Sequence, residues 1–279
     1  MNQAKVNQTA GWRAKLELQF QFIAKQTRMT RNRHSGPLMV QRPFYPEADT
    51  AHVYLLHPPG GVVGGDKLQI KVSTGPQASV LLTSPGAGKF YRSHHATATM
   101  RVDLHVGADS SLEWLPQENI IFNGARLNNE THIYIEKNGQ FIGWEITCLG
   151  RPHSHETFTQ GHYQSTLHLY HNQQLKLIEH QQINDQKGLD AASTLRGYPL
   201  QACLLVFPSN QQQLQAARKQ LATLTSSNLI AVTLCDEILI LRALGQDTEQ
   251  LKNQLTQIWQ SLRPMLLQRH AVAPRIWST

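Results

Sequence analysis

The sequence predicts a mainly β protein: a single β-rich domain, of β-helix-like or stacked-sheet type, with two α-helices in its C-terminal third. Three observations carry that prediction. From Arg13 to Phe22 apolar and polar residues alternate strictly. Ala14, Leu16, Leu18, Phe20 and Phe22 fall on one side and Lys15, Glu17, Gln19 and Gln21 on the other, which is the period of a half-buried strand. Alternation returns repeatedly up to about residue 180, with no amphipathic helix among the repeats. Only beyond residue 208 do apolar residues recur at helical spacing.

In order along the chain, the second alternating run is Leu68, Ile70, Val72 and the third is Ala98, Met100, Val102, Leu104, Val106. Shorter copies follow at Ile133, Ile135 and at Leu167, Leu169. Turn clusters such as Ser73-Thr74-Gly75-Pro76 separate them, and Asn138-Gly139 between two runs is a hairpin signal. Leu200–Phe207 reads as a buried strand. Ser209 is placed to cap a helix striped by Leu214, Ala217, Leu221 and Leu224. Leu229–Leu234 and Ile238–Leu241 are two short apolar strands. Asp247, with Gln250 three residues on, can open a capping box for a helix buried through Leu251, Leu255, Ile258 and Leu262. Pro264 should bend or end that helix. The sequence shows no internal repeat.

Composition narrows the function classes. Hydrophobic residues make up 40% and charged residues 16% of 279, as in a soluble globular protein. No apolar run approaches the roughly 20 residues of a membrane span, and Met1–Gln8 lacks the apolar core of a signal peptide. The expected location is the cytoplasm. Cys148, Cys203 and Cys235 are odd in number, far apart and set in apolar stretches, which predicts buried, reduced thiols. The net charge of +7 is local. Residues 1–42 hold eight Lys or Arg (Lys5, Arg13, Lys15, Lys25, Arg28, Arg31, Arg33, Arg42) against Glu17, and the rest of the chain balances. A nucleic-acid protein spreads such charge along a groove and interleaves aromatics; this pattern instead suits an acidic protein partner or a solvated arm.

Catalytic motifs fail on inspection. Ser84-Pro85-Gly86-Ala87-Gly88-Lys89-Phe90 resembles a phosphate loop, but Thr83 stands at the first glycine position and Phe90 replaces the required hydroxyl. No G-x-S-x-G occurs. Asp66, Glu113, Glu118 and Glu145 are the carboxylates available for acid–base work; the plainer reading pairs them with backbone or with Arg92 and Arg151. Of fourteen histidines, seven lie between residues 132 and 180. His153 and His155, on one face if the segment is a strand, could capture metal weakly, but no closed ligand set is spelled out. One loop is unusual: His57-Pro58-Pro59-Gly60-Gly61 sets two rigid residues before two permissive ones and is followed by Gly64-Gly65-Asp66.

Several blocks resemble the urease accessory protein UreD (UreH) family. They are His57–Asp66, Thr83–Ser93, Leu112-Glu113-Trp114-Leu115-Pro116-Gln117-Glu118-Asn119-Ile120-Ile121-Phe122, Gly143-Trp144-Glu145 with Gly150-Arg151-Pro152, and Pro274-Arg275-Ile276-Trp277. The resemblance runs from about Trp12 to the end, so the domain is expected over 12–279 behind a polar arm, 1–11. The chain departs from the family pattern at Gly88, where a threonine is usual, and at His155-Glu156, where Gly-Glu is usual. The resemblance implies a β-rich fold with two helices and a protein without catalysis of its own. It implies a complex with UreF and the GTPase UreG that docks on apo-urease and promotes nickel insertion, with no tightly bound cofactor and only transient nickel. It singles out, for partner contact or the nickel route, His57, Gly60, Gly61, Gly65, Asp66, Lys89, Tyr91, Arg92, Glu113, Trp114, Gln117, Glu118, Glu145 and Arg151.

Overall fold

Why the strands alternate becomes clear from where the chain goes after each one. In the computed structural model, which describes residues 11–225 and 227–278, the chain opens with an antiparallel hairpin, β1 (Arg13–Ile23) and β2 (Gln26–Ser35), then a short β3 (Met39–Val40). It next winds in coils between two sheets. β4 (Ala51–Leu56) lies in the second sheet and β5 (Lys67–Thr74) in the first. β6 (Ser79–Thr83), the corner strand β7 (Gly88–Phe90) and β8 (Ala98–Val106) make the next coil. β9 (Ser111–Trp114), β10 (Asn119–Ile121) and β11 (Arg126–Ile135) repeat it, as do β12 (Gln140–Arg151), β13 (Glu156–Thr157) and β14 (Gln160–His171). β15 (Gln174–Asp185) folds back on β14 and leads into α1 (Gln186–Asp190). β16 (Leu200–Phe207), α2 (Gln211–Thr223), β17 (Leu229–Cys235), β18 (Ile238–Gly245) and α3 (Thr248–Leu267) complete the strands and α-helices of the described residues.

The first sheet runs β15-β14-β11-β8-β5-β1-β2 and the second β17-β18-β16-β12-β9-β6-β4-β3. Their middles are parallel and their ends antiparallel. This is a stacked-coil, solenoid-like arrangement. Register shows a geometric repeat without a sequence repeat: Val80 pairs with Ala51 on one side and Leu112 on the other, and Leu112 with Phe141. A solenoid asks only that each coil supply inward apolar residues and a corner, so no residue identity has to recur. Asn138-Gly139 is not a hairpin turn but the corner from β11 to β12. Asn138 takes φ +58°, as Asp109 (+53°) and Gln77 (+62°) do at the matching corners.

Two apolar layers result. Leu16, Leu18, Ile70, Val72, Leu104 and Ile133 from the first sheet meet Val53, Leu82, Leu112 and Phe141 from the second. The second sheet's other side carries Leu81, Ile142, Trp144 and Ile146, covered by Leu255, Ile258, Trp259 and Leu262 of α3. Beneath α3 sits a buried ionic knot. Glu113 accepts from Trp259 Nε1 (2.7 Å) and Arg263 Nε (3.0 Å), and Arg263 also donates to Glu47 at 2.8 and 2.9 Å. His52 Nε2 lies 2.7 Å from Glu47. Burial pushes Glu47 up, but the hydrogen bonds from His52 and Arg263 outweigh it and leave its carboxyl below the ordinary value.

Several expectations shift. Helix α1, five residues long, joins the two predicted helices. Asn210 rather than Ser209 caps α2, in a full capping box with Gln213. Asp247 caps α3 by accepting from the Gln250 amide, 2.7 Å. Pro264 neither ends α3 nor removes its last turn; the helix runs on to Leu267. Cys148 is buried, but Cys203 is half-buried and Cys235 exposed, because alternation on β17 turns Cys235 outward. The expected arm falls, save Gly11, outside the described residues, as does Lys5. Among the described residues no helix is long and apolar enough to cross a membrane.

Candidate functional site

Each coil passes from the second sheet to the first through a connector, and the four connectors stack on one edge of the solenoid. They contain the loop from His57 to Asp66, the segment Ser84–Ser93, the segment Pro116–Phe122 and the segment Gly150–Glu156. Backbone ladders join them: Val62 bridges Phe90, β7 pairs with β10, and β10 with β12. Blocks separated by about thirty residues in sequence are therefore adjacent rungs.

One side chain or backbone group from each rung forms a column. Tyr91 Oη donates to the Gly60 carbonyl at 2.9 Å. The Tyr91 and Phe122 rings meet edge to face, 4.9 Å between centroids. The Arg151 guanidinium lies 4.5 Å over the Phe122 ring, a cation–π contact, and bonds Glu156 at 2.5 and 3.1 Å. Burial raises Glu156, and the Arg151 and Asn123 hydrogen bonds more than offset it, so its carboxyl lies below the ordinary value. Gly61 must lack a side chain: a Cβ there would collide with the Tyr91 ring and lie 2.8 Å from the Lys89 carbonyl. Asp66 closes the first loop by accepting from the Trp12 amide (2.8 Å) and the Val63 amide (2.9 Å), and Gly65 turns at φ +92°. Half-buried His57 is held below its ordinary pKa by desolvation, against the opposing charge of Asp66. Lys89 and Arg92 reach solvent.

Beside the column, between the connectors and α3, lies a groove of about 690 Å³. The third connector supplies Gln117 and Glu118, the fourth Arg151 and His153, α3 supplies Glu249 and Lys252, and Trp277 closes one end. Lys252 Nζ stands 6.0 Å over the Trp277 ring, and desolvation lowers its pKa although Glu118 and Glu249 oppose that. Trp277 is anchored by its Nε1 donating to Thr83 Oγ1, 2.9 Å. The groove thus offers both charges and an aromatic wall. Cys148 lines it too, but burial pushes that thiol up to about 12, so it stays protonated and unreactive at neutral pH.

Ten of the sixteen expected residues share this edge as one surface: His57, Gly60, Gly61, Gly65, Asp66, Lys89, Tyr91, Gln117, Glu118 and Arg151. Arg92, His153 and His155 flank it. Glu113 lies elsewhere, pinned under α3, and Trp114 fills the interior. Glu145 also points inward, accepting from Thr131 Oγ1. It borders a second cavity of about 650 Å³ where the two sheets part, and desolvation there raises its pKa. His153 and His155 do not share a strand face. Pro152–Ser154 is a 3-10 turn and His155 caps it at φ +54°, because Pro152 cannot continue the ladder of β12. Among the described residues no three His, Cys, Asp or Glu side chains gather as a metal-ligand set. The residues missed from the sequence are Phe122, Lys252, Glu47 and Arg263; only Phe122 had a signal, its place in a quoted block.

A family model described as UreD urease accessory protein matches residues 13–278. The chain belongs to this family. A urease accessory protein UreD of Alcanivorax borkumensis is 45% identical over 273 residues, covering 96% of this chain and 93% of the relative. The UreD proteins of Escherichia coli (42%, covering 97% and 98%) and Citrobacter koseri (41%, covering 97% and 93%) are similarly close. Most of the family blocks read from the sequence are thus, in space, the connector stack and the tail that closes its groove, while Leu112-Glu113-Trp114 and Gly143-Trp144-Glu145 belong to β9 and β12 beside it.

Proposed function

We propose that this chain is a non-catalytic maturation scaffold of urease, acting in the cytoplasm with UreF and UreG on apo-urease to promote nickel insertion. The observation that carries the reading is the convergence of the connector parts of the family blocks on one surface. A surface of backbone ladders, an aromatic–guanidinium column and a mixed-charge groove suits a protein partner. Nickel is cargo here. It must be held weakly enough to leave, which favours scattered carboxylates and carbonyls over a closed set. Glu118 in the groove is the carboxylate free for that task, while Glu145 accepts from Thr131 Oγ1 and Asp66 is committed to two backbone amides.

The test uses a host whose urease depends on this chain. Deleting it should leave urease without nickel or activity; full nickel occupancy would sink the scaffold reading. Lys252→Glu with Glu118→Lys should cut co-purification with UreF or apo-urease at least tenfold. Unchanged co-purification would remove the groove from the partner surface.

A further inference from the structure

The outer face of the first sheet has no role in the reading above. The large helices pack elsewhere, α3 on β12 and β18 and α2 on β17. Seven strands at about 4.8 Å spacing and some ten residues long give a face on the order of 1,000 Å², close to the roughly 800 Å² that one partner contributes to a standard interface.

Charge on that face is segregated. Register puts Arg13 beside Lys67, Lys15 beside Gln69, Glu17 beside Lys71, and Arg31 and Arg33 opposite Gln19 and Glu17. All point away from the core, since Leu16, Leu18, Leu68 and Ile70 between them point in. Glu17 is the single acid on β1, β2 and β5, and it is taken by Arg31 at 3.2 Å. Arg13, Lys15, Arg33, Lys67 and Lys71 have no ion-pair partner among the described residues. Four of the eight N-terminal cations, Arg13, Lys15, Arg31 and Arg33, thus share one patch, and Lys67 and Lys71 enlarge it.

The neighbouring half of the face is aromatic. His105, Tyr134 and Tyr170 stack across three strands, with centroids 4.6 and 5.0 Å apart and planes within 13°. The stack covers both π-faces of Tyr134 and one each of His105 and Tyr170, leaving ring edges outward. Nucleic-acid bases need open π-faces, and the centre of this ladder has none. Half-buried Tyr beside Arg and Lys is instead the composition of a protein-binding centre.

We propose that this face docks an acidic protein surface, with the β1–β2–β5 patch supplying charge complementarity and the ring edges the central contact. The inference goes beyond the maturation reading and does not depend on it. The probe is a twenty-residue poly-glutamate peptide, titrated against the full chain and compared with a twenty-nucleotide oligouridylate and with vesicles containing phosphatidylserine. The peptide should bind, weaken at least tenfold between 50 and 200 mM salt, and weaken at least tenfold with Lys15→Glu, Arg33→Glu and Lys71→Glu combined. These side chains are exposed, so an unchanged thermal midpoint verifies the fold. Lys187→Glu with Arg196→Glu, off this face, should leave binding within twofold. Equal binding by the triple variant and the wild type overturns the proposal. So does tighter binding of the oligonucleotide or the vesicles than of the peptide.

Discussion

The two sheets of the solenoid turn opposite kinds of outer face to their surroundings. The second sheet's outer face carries Leu81, Ile142, Trp144 and Ile146 and is sealed by α3. The first sheet's outer face carries Lys67, Lys71, Arg101, Glu130 and a ring ladder, and no large helix lies on it. The same coil, repeated, therefore does two jobs. One face is spent on holding the protein together and the other is left for contact.

The sharpest way to break that contrast is at the sealed face. Arg263→Met leaves Glu113 and Glu47 buried without their cation and should cost about 3–5 kcal/mol, read by chemical denaturation. A loss under 1 kcal/mol would mean that α3 is held by its apolar contacts alone. The pH dependence has a definite sign. Glu47 lies below its ordinary value when folded, so its contribution is full above the ordinary carboxylate range, about 4.3, and is lost as pH falls through the folded value. The acid limb of unfolding should move to higher pH in the Arg263 variant.

At the edge joining the faces, Gly61→Ala should cost about 1–3 kcal/mol, by driving the Tyr91 ring off the Gly60 carbonyl. Quenched or shifted Tyr91 signals in NMR would report that movement, and an unchanged spectrum would deny the column. Glu145→Gln should stabilise the protein by about 1 kcal/mol at pH 7. Its folded pKa is raised by burial, so the native carboxylate is costly at neutral pH and costs nothing below the ordinary value; the two proteins should unfold alike near pH 4. The open face should be the most tolerant. Tyr134→Ala should cost about 1 kcal/mol, the loss of its ring stacks, and Lys71→Glu under about 0.5 kcal/mol. A multi-kcal/mol penalty for Lys71→Glu would show that the face is structural after all.

What could be read from the sequence follows the same division. Strands of the first sheet have water on one side, so Arg13–Phe22, Leu68–Val72 and Ala98–Val106 alternate visibly. Central strands of the second sheet are buried on both sides. Ala51–Leu56, Ser79–Thr83 and Ser111–Trp114 show no period and escaped detection. The family blocks were visible as residues, but their shared location was not, because a solenoid repeats backbone geometry and not side chains. Glu113 looked like a site carboxylate; its partner Arg263 lies 150 residues away, and no local pattern announces such a pair.

The tail of the chain returns to its beginning. Arg269 bonds Asp49 and lies 3.3 Å from Ser79, Arg263 reaches Glu47, and Trp277 reaches Thr83. For a chain made from one end to the other, this sets a timetable. The first coil leaves the ribosome some two hundred residues before the segment that covers it. Throughout that interval Glu47, Asp49 and Leu81, which the later segment covers, are bare, and the nascent chain is at its most vulnerable to sticking. Translation speed and chaperone supply should thus govern the yield of this protein more than the stability of its finished form does.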